Sequence, residues 1–415
     1  MKKVIGMLAV LAFGSSMASA ELLKNFKYDG KLEVNASDTS NRDDHATAHN
    51  DKTSDIHTRL QLNMGFDMAK DVDAVISIVK NDRSYGEGSQ SADDISNEIY
   101  VEQAYVNLSN VLGFDHKVGR QYYGEAGDLV IYFGPTDFPY YDYSRAFGDN
   151  GPAMPVTAID AYTGWYTNGK WDVHGLVGKT YNDVDYPDRD VDVTGVVVNY
   201  AISKDWTLGG YYYDSKWTVG ESDHSTSVMG VKAKGNLGGL MVNGELAKNG
   251  GTSFGDKNTG QAIKLNAAYG FNLFGKLNLT GEYYNGSANN VSGENHGFKG
   301  INTDYRPGIL FGTSGLAEGY VWSFLQFTDY NVGANWNPSK VKQLTVGAKY
   351  YHFSPSYSAD YYYGNEFDFT ADWKHSDAIS LKAYLAYFRY CADSPFAGSV
   401  NDAVRMLGMA ATVKF

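Results

Sequence analysis

The last eleven residues, RMLGMAATVKF, place Leu407, Met409, Ala411, Val413 and Phe415 at every second position, with Thr412 and Lys414 between them. Period-two alternation of this kind marks a β-strand with one apolar face. The same alternation recurs over 27–38, 55–70, 73–82, 98–110, 114–123, 157–168, 170–182, 190–203 and 205–217. It continues over 224–237, 239–250, 259–272, 275–287, 321–337, 342–354, 363–376, 379–391 and 402–415. These are eighteen strands, an even number, which puts both termini on one side of a barrel. Sixteen is the fallback, with 190–217 and 321–354 as the weak regions because both faces carry apolar residues there. A strand that runs to the final residue leaves an uncovered edge, and closing the sheet on itself removes that edge.

The connections alternate in length. AKDVD, TNGK, SKD, NLGG and SDA are short turns, whereas TSNRDDHATAHNDKT, RSYGEGSQSADDISNE, NDVDYPDRD and SPFAGSVN are long and acidic or rich in Gly and Ser. Short turns at one rim and long loops at the other are the plan of an outer-membrane barrel. All nine prolines are expected in loops or turns, where no ladder hydrogen bond is lost. Strands mostly of about 10 to 14 residues are long for a soluble sandwich and suit tilted crossing of a bilayer.

Alternation also assigns faces. Leu60, Leu62, Met64 and Phe66 must face lipid, which turns Arg59, Gln61, Asn63 and Gly65 inward. The same argument sends Lys232, Lys264, Lys349 and Lys382 into the lumen, together with Glu245, Glu282, Asp329, Asp368 and Asp372. The lumen is thus polar with both signs present, as a water-filled passage requires. Trp165, Tyr166, Tyr269, Trp336, Tyr350 and Trp373 lie near strand ends and read as aromatic girdles. Any of them that point inward would instead suit a carbohydrate-stacking track.

One loop stands apart. Residues 124–156 hold four of the nine prolines, seven aromatics, the acids Glu125, Asp128, Asp137, Asp142 and Asp149, and one base, Arg145. Long loops in compact structures tend to be functional, and seven aromatics need a surface to bury against. The inner wall offers one, so this third outer loop is expected to fold inward and narrow the pore; an external lid is the alternative. Arg59 and Arg120 are expected to face Asp128, Asp137 or Asp142 across the narrowest gap, with Glu125 and Arg145 beside them. The loop's net charge of minus four favours cations modestly. A structural role for Arg120, pinning the loop to the wall, is the competing reading. The connection over 288–320, with Asp304 and Arg306, either dips inward or covers the mouth.

Composition sharpens the class. The chain has 33 Tyr and 46 Gly against 9 Pro, and its mean hydropathy of −0.38 is that of a polar protein. Transmembrane strands hide in such averages because half of each strand faces a polar lumen. Residues 1–20, with Lys2, Lys3 and an apolar run ending at ASA, read as a secretory signal cleaved near Ala20, leaving 21–415 as the barrel. Losing those two lysines takes the formal charge from −13 to −15, which argues against a nucleic-acid partner. The single Cys391 forms no internal disulfide and is expected as a small residue at a strand end. Nine scattered histidines show no metal spacing, and no nucleotide or hydrolase motif is present, so neither enzyme, cofactor nor resident metal is expected. The acidic outer loops could hold a divalent cation beside lipopolysaccharide phosphates.

The segment VEQAYVNLSNVLGFDHKVGRQYYGEAGD resembles the stretch ahead of the constriction loop in eighteen-stranded substrate-specific and alginate-export-type outer-membrane porins. Glu102, Ala104, Tyr105, Val106 and Gly119-Arg120-Gln121 stand at the positions of their EAYV…GRQ pattern, with Gln103 inserted. The resemblance implies an outer-membrane channel for passive diffusion of ions and small hydrophilic solutes. It also implies insertion by the barrel-assembly machinery through the strand ending in Phe415. Alginate exporters have a strongly basic lumen, whereas here inward acids and bases balance, so a general channel fits better than one selective for acidic sugars or a polysaccharide. A structural or adhesive surface barrel is the remaining alternative, and homotrimer and monomer are both open.

Overall fold

In a computed structural model the described residues are 25–41, 52–80, 99–135, 157–181, 191–219, 222–288, 294–313, 325–356, 363–391 and 403–415. They form a closed antiparallel barrel of eighteen strands. The signal segment 1–20 and the loop positions Asp137, Asp142, Arg145 and Asp149 lie outside the described residues.

In chain order the barrel strands are β1 (Lys27–Ser40), β2 (Thr53–Ala69), β3 (Val72–Lys80), β4 (Ile99–Val111), β5 (Phe114–Gln121) and β6 (Ile159–Asn168). Then follow β7 (Trp171–Tyr181), β8 (Val191–Ala201), β9 (Trp206–Val219), β10 (Ser222–Leu237), β11 (Leu240–Gly250) and β12 (Gln261–Asn272). The wall is completed by β13 (Gly275–Gly286), β14 (Phe327–Pro338), β15 (Leu344–Pro355), β16 (Gly364–Lys374), β17 (Ile379–Tyr390) and β18 (Val404–Lys414). Each strand pairs with the next in sequence, and β1 pairs with β18, so among the described residues the wall has no open edge. All eighteen expected segments are therefore present. The largest shift is at β14, which starts at Phe327 rather than 321. Pro338 and Pro355 are not in turns as expected; each is the last residue of its strand, where its missing N–H costs little ladder.

The seam explains the aromatic terminus. Gly30 and Phe415 exchange both backbone hydrogen bonds, 2.9 Å and 3.0 Å, and the Phe415 ring lies over the bare Cα of Gly30, where a Cβ would collide with it. The side-chain rule holds along the wall. Val231, Leu246, Leu381, Leu407 and Met409 are exposed on the outside, while Arg59, Gln61, Glu366 and Asp368 are buried inside. The extra residue of the EAYV-like motif is taken up as a β-bulge at Glu102, which is left without a ladder partner where the β3–β4 register passes from Ser77–Gln103 to Ile78–Val101. Glu102 and Gln103 are both buried as a result. Cys391 is buried directly after β17, as its size and position suggested.

An outward position should not accept charge. Val231 is half exposed on the apolar face near the middle of β10, and Val231→Arg is expected to cost about 2–4 kcal/mol. Reversible urea titration in lipid vesicles measures this, and a loss under 0.5 kcal/mol, a bound set by typical surface substitutions, would contradict the face assignment.

Candidate functional site

Two loops enter the barrel from the long-loop rim and join inside it. The third loop descends from Gln121 through a short hairpin, Tyr123–Gly124 with Tyr132–Phe133, and buries Leu129, Val130, Ile131 and Phe133. The loop between β13 and β14 meets it edge to edge in a parallel bridge of Ile131 with Asn302. Tyr132 N–H donates to the Asn302 carbonyl at 2.8 Å, Ile301 N–H to Val130 at 2.9 Å, and Asp304 N–H to Asp128 at 3.0 Å. Whether the second loop dips or covers was open from the sequence. Its described part dips.

Asp128 is the hub. One carboxylate oxygen accepts the amides of Val130 and Ile131 at 2.7 Å and 3.0 Å; the other takes the Lys232 ammonium of β10 at 2.5 Å. Lys232 also reaches Glu245 of β11 at 3.5 Å, and Glu245 accepts the Tyr211 hydroxyl at 2.7 Å. Lys264 of β12 donates to the Gly127 carbonyl at 3.1 Å and sits 4.1 Å from the Tyr305 ring centroid. So two inward lysines hold the third loop against the wall. Where the chain turns, Glu125 is exposed and makes no ion pair among the described residues.

The second loop is held by the reverse device, acids on the wall and donors on the loop. A six-residue π-turn, Gly308–Thr313, aims its first amides at β16. Leu310 and Phe311 N–H donate to Glu366 at 2.7 Å and 2.9 Å, and Ile309 N–H to Asp368 at 3.1 Å. Gly308 has φ +83°, and a Cβ there would run into the Glu366 carboxylate. Tyr305 donates to Glu282 at 2.9 Å and reaches Asp329 at 3.4 Å. Burial first, and then those two carboxylates, hold its phenol well above the ordinary range, so it stays a donor. Around these groups Phe311 stacks on Phe353 at 3.8 Å, and Tyr284, Phe327 and Phe388 complete an aromatic core inside the barrel.

Arg59, Lys232, Lys264, Glu282, Asp329, Lys349, Asp368 and Lys382 lie on the inner face of the wall, alternating with exposed apolar residues. Lys349 lies 4.7 Å from the Tyr351 ring centroid and Lys382 lies 3.5 Å from Asp372. The expected eyelet pairing does not form among the described residues. Arg59 donates to Glu33 of β1 at 2.6 Å, and Asp128 goes to Lys232. Arg120 is a clear correction. It shares the outer face of β5 with exposed Val118 and pairs with Asp160 of β6 at 3.3 Å, while its neighbour Gln121 turns inward to Thr163 at 2.7 Å. Arg120 therefore neither lines the lumen nor pins the loop. Trp165 is a second correction: it is no outer-girdle residue but alternates with buried Ala161 and Thr163, under the Lys117 ammonium at 5.4 Å.

Sequence reading missed Glu33, Glu102, Glu366 and Tyr305. Glu366 had a signal, since it alternates with Phe367 and Phe369 as Asp368 does. Glu102, which accepts the Tyr122 hydroxyl, was hidden by the bulge, and Tyr305 by loop conformation.

No protein-family model and no curated protein matches the chain. Solved structures match it in fold. OccK11 (OpdR) of Pseudomonas aeruginosa is 12% identical, with a TM-score of 0.57 over 95% of this chain and 97% of that one. The outer membrane protein opdK of the same organism is 11% identical, with a TM-score of 0.58 over 95% and 99%. A BenF-like porin from Pseudomonas fluorescens is 11% identical, with a TM-score of 0.55 over 94% and 99%. The chain thus has the barrel fold of these proteins.

Asp128 sets a testable anchor. Asp128→Ala orphans two amides, at about 1–3 kcal/mol of local stability. Amide exchange at 129–133 is expected to speed up by roughly 5- to 150-fold, with Asp128→Asn in between. Unchanged protection would mean that the aromatic packing alone holds the loop.

Proposed function

We propose that the protein is an outer-membrane channel through which ions and small hydrophilic solutes diffuse passively. The observation that supports it most is the pairing of an apolar outside with a charged inside, narrowed by two loops fastened to the wall. Strands with such faces are stable between lipid and water. A wall that sets Arg59, Lys232, Lys264, Lys349 and Lys382 against Glu33, Glu245, Glu282, Asp329, Glu366, Asp368 and Asp372, both signs with no surplus of bases, filters by size and charge without a dedicated ligand. This weakly selective reading is preferred to a carrier of acidic polymers, which would want a surplus of inward bases. The secretory signal at 1–20 and the terminal Phe415 strand, the latter as the feature read by the barrel-assembly machinery, belong to the same proposal.

The full chain in planar bilayers is expected to give stable single-channel steps, and removing 128–145 to raise them and admit larger sugars. An absence of steps in a correctly folded barrel would favour the structural or adhesive reading.

Glu125 supplies the proposed sign. An exposed carboxylate at the turn of the inserted loop, with no ion pair among the described residues, attracts counter-ions. Reversal potentials under a salt gradient are expected to show a modest cation preference that Glu125→Gln reduces. A clear anion preference in the native channel would overturn this part.

A further inference from the structure

The outer face at the long-loop end is charged in an uneven way. Over β5 to β8 its charges cancel: Arg120 meets Asp160 at 3.3 Å, and Lys179 meets Asp192 at 2.9 Å. Over β16 to β18 they do not. Arg389 and Arg405 are both exposed, and neither has an acidic partner among the described residues. Arg405 lies opposite Tyr387, with its guanidinium carbon 5.7 Å from the ring centroid, and Arg389 is two residues further along that strand. Opposite Arg389 stands Asn365, whose carbonyl oxygen already accepts from Tyr350 and bonds to His352, both at 2.8 Å. What Asn365 can still offer is its N–H donors. The nearest outward acid on the adjoining strand β1, Asp38, is engaged by Lys52 at 2.9 Å and Ser54 at 2.7 Å.

The height of this patch identifies its partner. Leu385 and Leu407 face each other two residues below the Tyr387–Arg405 pair, about 7 Å down the strands. Both are exposed, as is Phe369 of β16 on the same row, and exposed Phe367 stands beside Tyr387 one step higher, so the apolar band reaches up to the two arginines. Tyr330 lies on the ladder row of Arg389, through His352 and Asn365, and Tyr350 on the row of Tyr387 and Arg405, through Phe367; a belt of aromatic rings marks a membrane interface. A donor-only patch at headgroup height, above an acyl-compatible surface, matches a doubly anionic group carried on an acylated lipid. Guanidinium groups suit phosphate because they donate in a planar fork, and a ring beneath one of them fixes its plane.

We infer that Arg389 and Arg405 form a binding site for a phosphate of the outer-leaflet glycolipid. The inference rests on the membrane-spanning reading above and adds a specific lipid contact to it. It asks nothing of the lumen, so channel conductance and lipid retention test the two readings separately.

The full-length protein, purified in detergent, is titrated with bis-phosphorylated lipid A and with the same lipid after phosphatase treatment, and bound lipid is counted by native mass spectrometry. The native chain is expected to bind the phosphorylated probe at least tenfold more tightly than the dephosphorylated one, on the scale of one or two charge-assisted contacts. R389Q/R405Q should lose that preference, R389K/R405K should recover part of it, and Arg120→Gln, whose parent is already paired, should leave it intact. Resistance to unfolding in SDS at room temperature reports that each variant is folded. If the double variant does not fold, the two probes on the native chain decide alone. Equal binding of both probes, or full preference in folded R389Q/R405Q, overturns the inference even where conductance is normal.

Discussion

Everything in this molecule follows from the need to satisfy backbone polar groups without water on the outside. A barrel does this by leaving no strand without two neighbours. The critical joint is where chain ends meet, because no turn holds it. Here β1 and β18 pair from Lys31–Lys414 to Ser40–Arg405, and Gly30 with Phe415 adds a final pair of hydrogen bonds. The glycine is there for the ring: any side chain would lift Phe415 from the seam. The terminal residue is thus a structural part of the closure.

Closure imposes alternation, and alternation forces a charged interior that must then find partners. Two opposite solutions appear. At Asp128 a loop carboxylate grips a wall lysine and caps its own turn. At Glu366 and Asp368 wall carboxylates grip loop amides. The first holds a loop against β10 and the second against β16, so the two loops are fastened to different arcs of the wall and then to each other through residues 128–132 and 301–304. A carboxylate accepting backbone N–H groups is a strong, directional contact, and inside the barrel it faces less competition from water than on a surface.

The strand count was legible because period two survives single-sequence reading when one face is lipid and the other water. Faces are legible wherever the alternation is clean, as at Lys232, Lys264, Lys349 and Lys382, each of which alternates with apolar residues of the outer face. Errors arose where it is not. Arg120 stands next to the inserted loop in sequence, but its parity with exposed Val118 turns it outward. Trp165 has the residue type of a girdle, but its parity with buried Thr163 turns it inward. Joint insertion of two loops could not be read at all: the bridge of Ile131 with Asn302 joins positions 171 residues apart through backbone groups, which leave no mark on side-chain pattern.

The joining of the loops also limits how far either of them can move. A single loop anchored at its two ends keeps much conformational freedom, and its closure entropy changes only slowly with length. A loop bonded midway to a second one loses that freedom, because neither can move without breaking hydrogen bonds in the other. The aromatic core of Tyr284, Phe311, Phe327 and Phe353 adds a penalty for lifting the second loop, since its rings would enter water. The exposed turn around Glu125 therefore projects from a braced base rather than from a tether. A braced base holds the Glu125 carboxylate at one position relative to the wall.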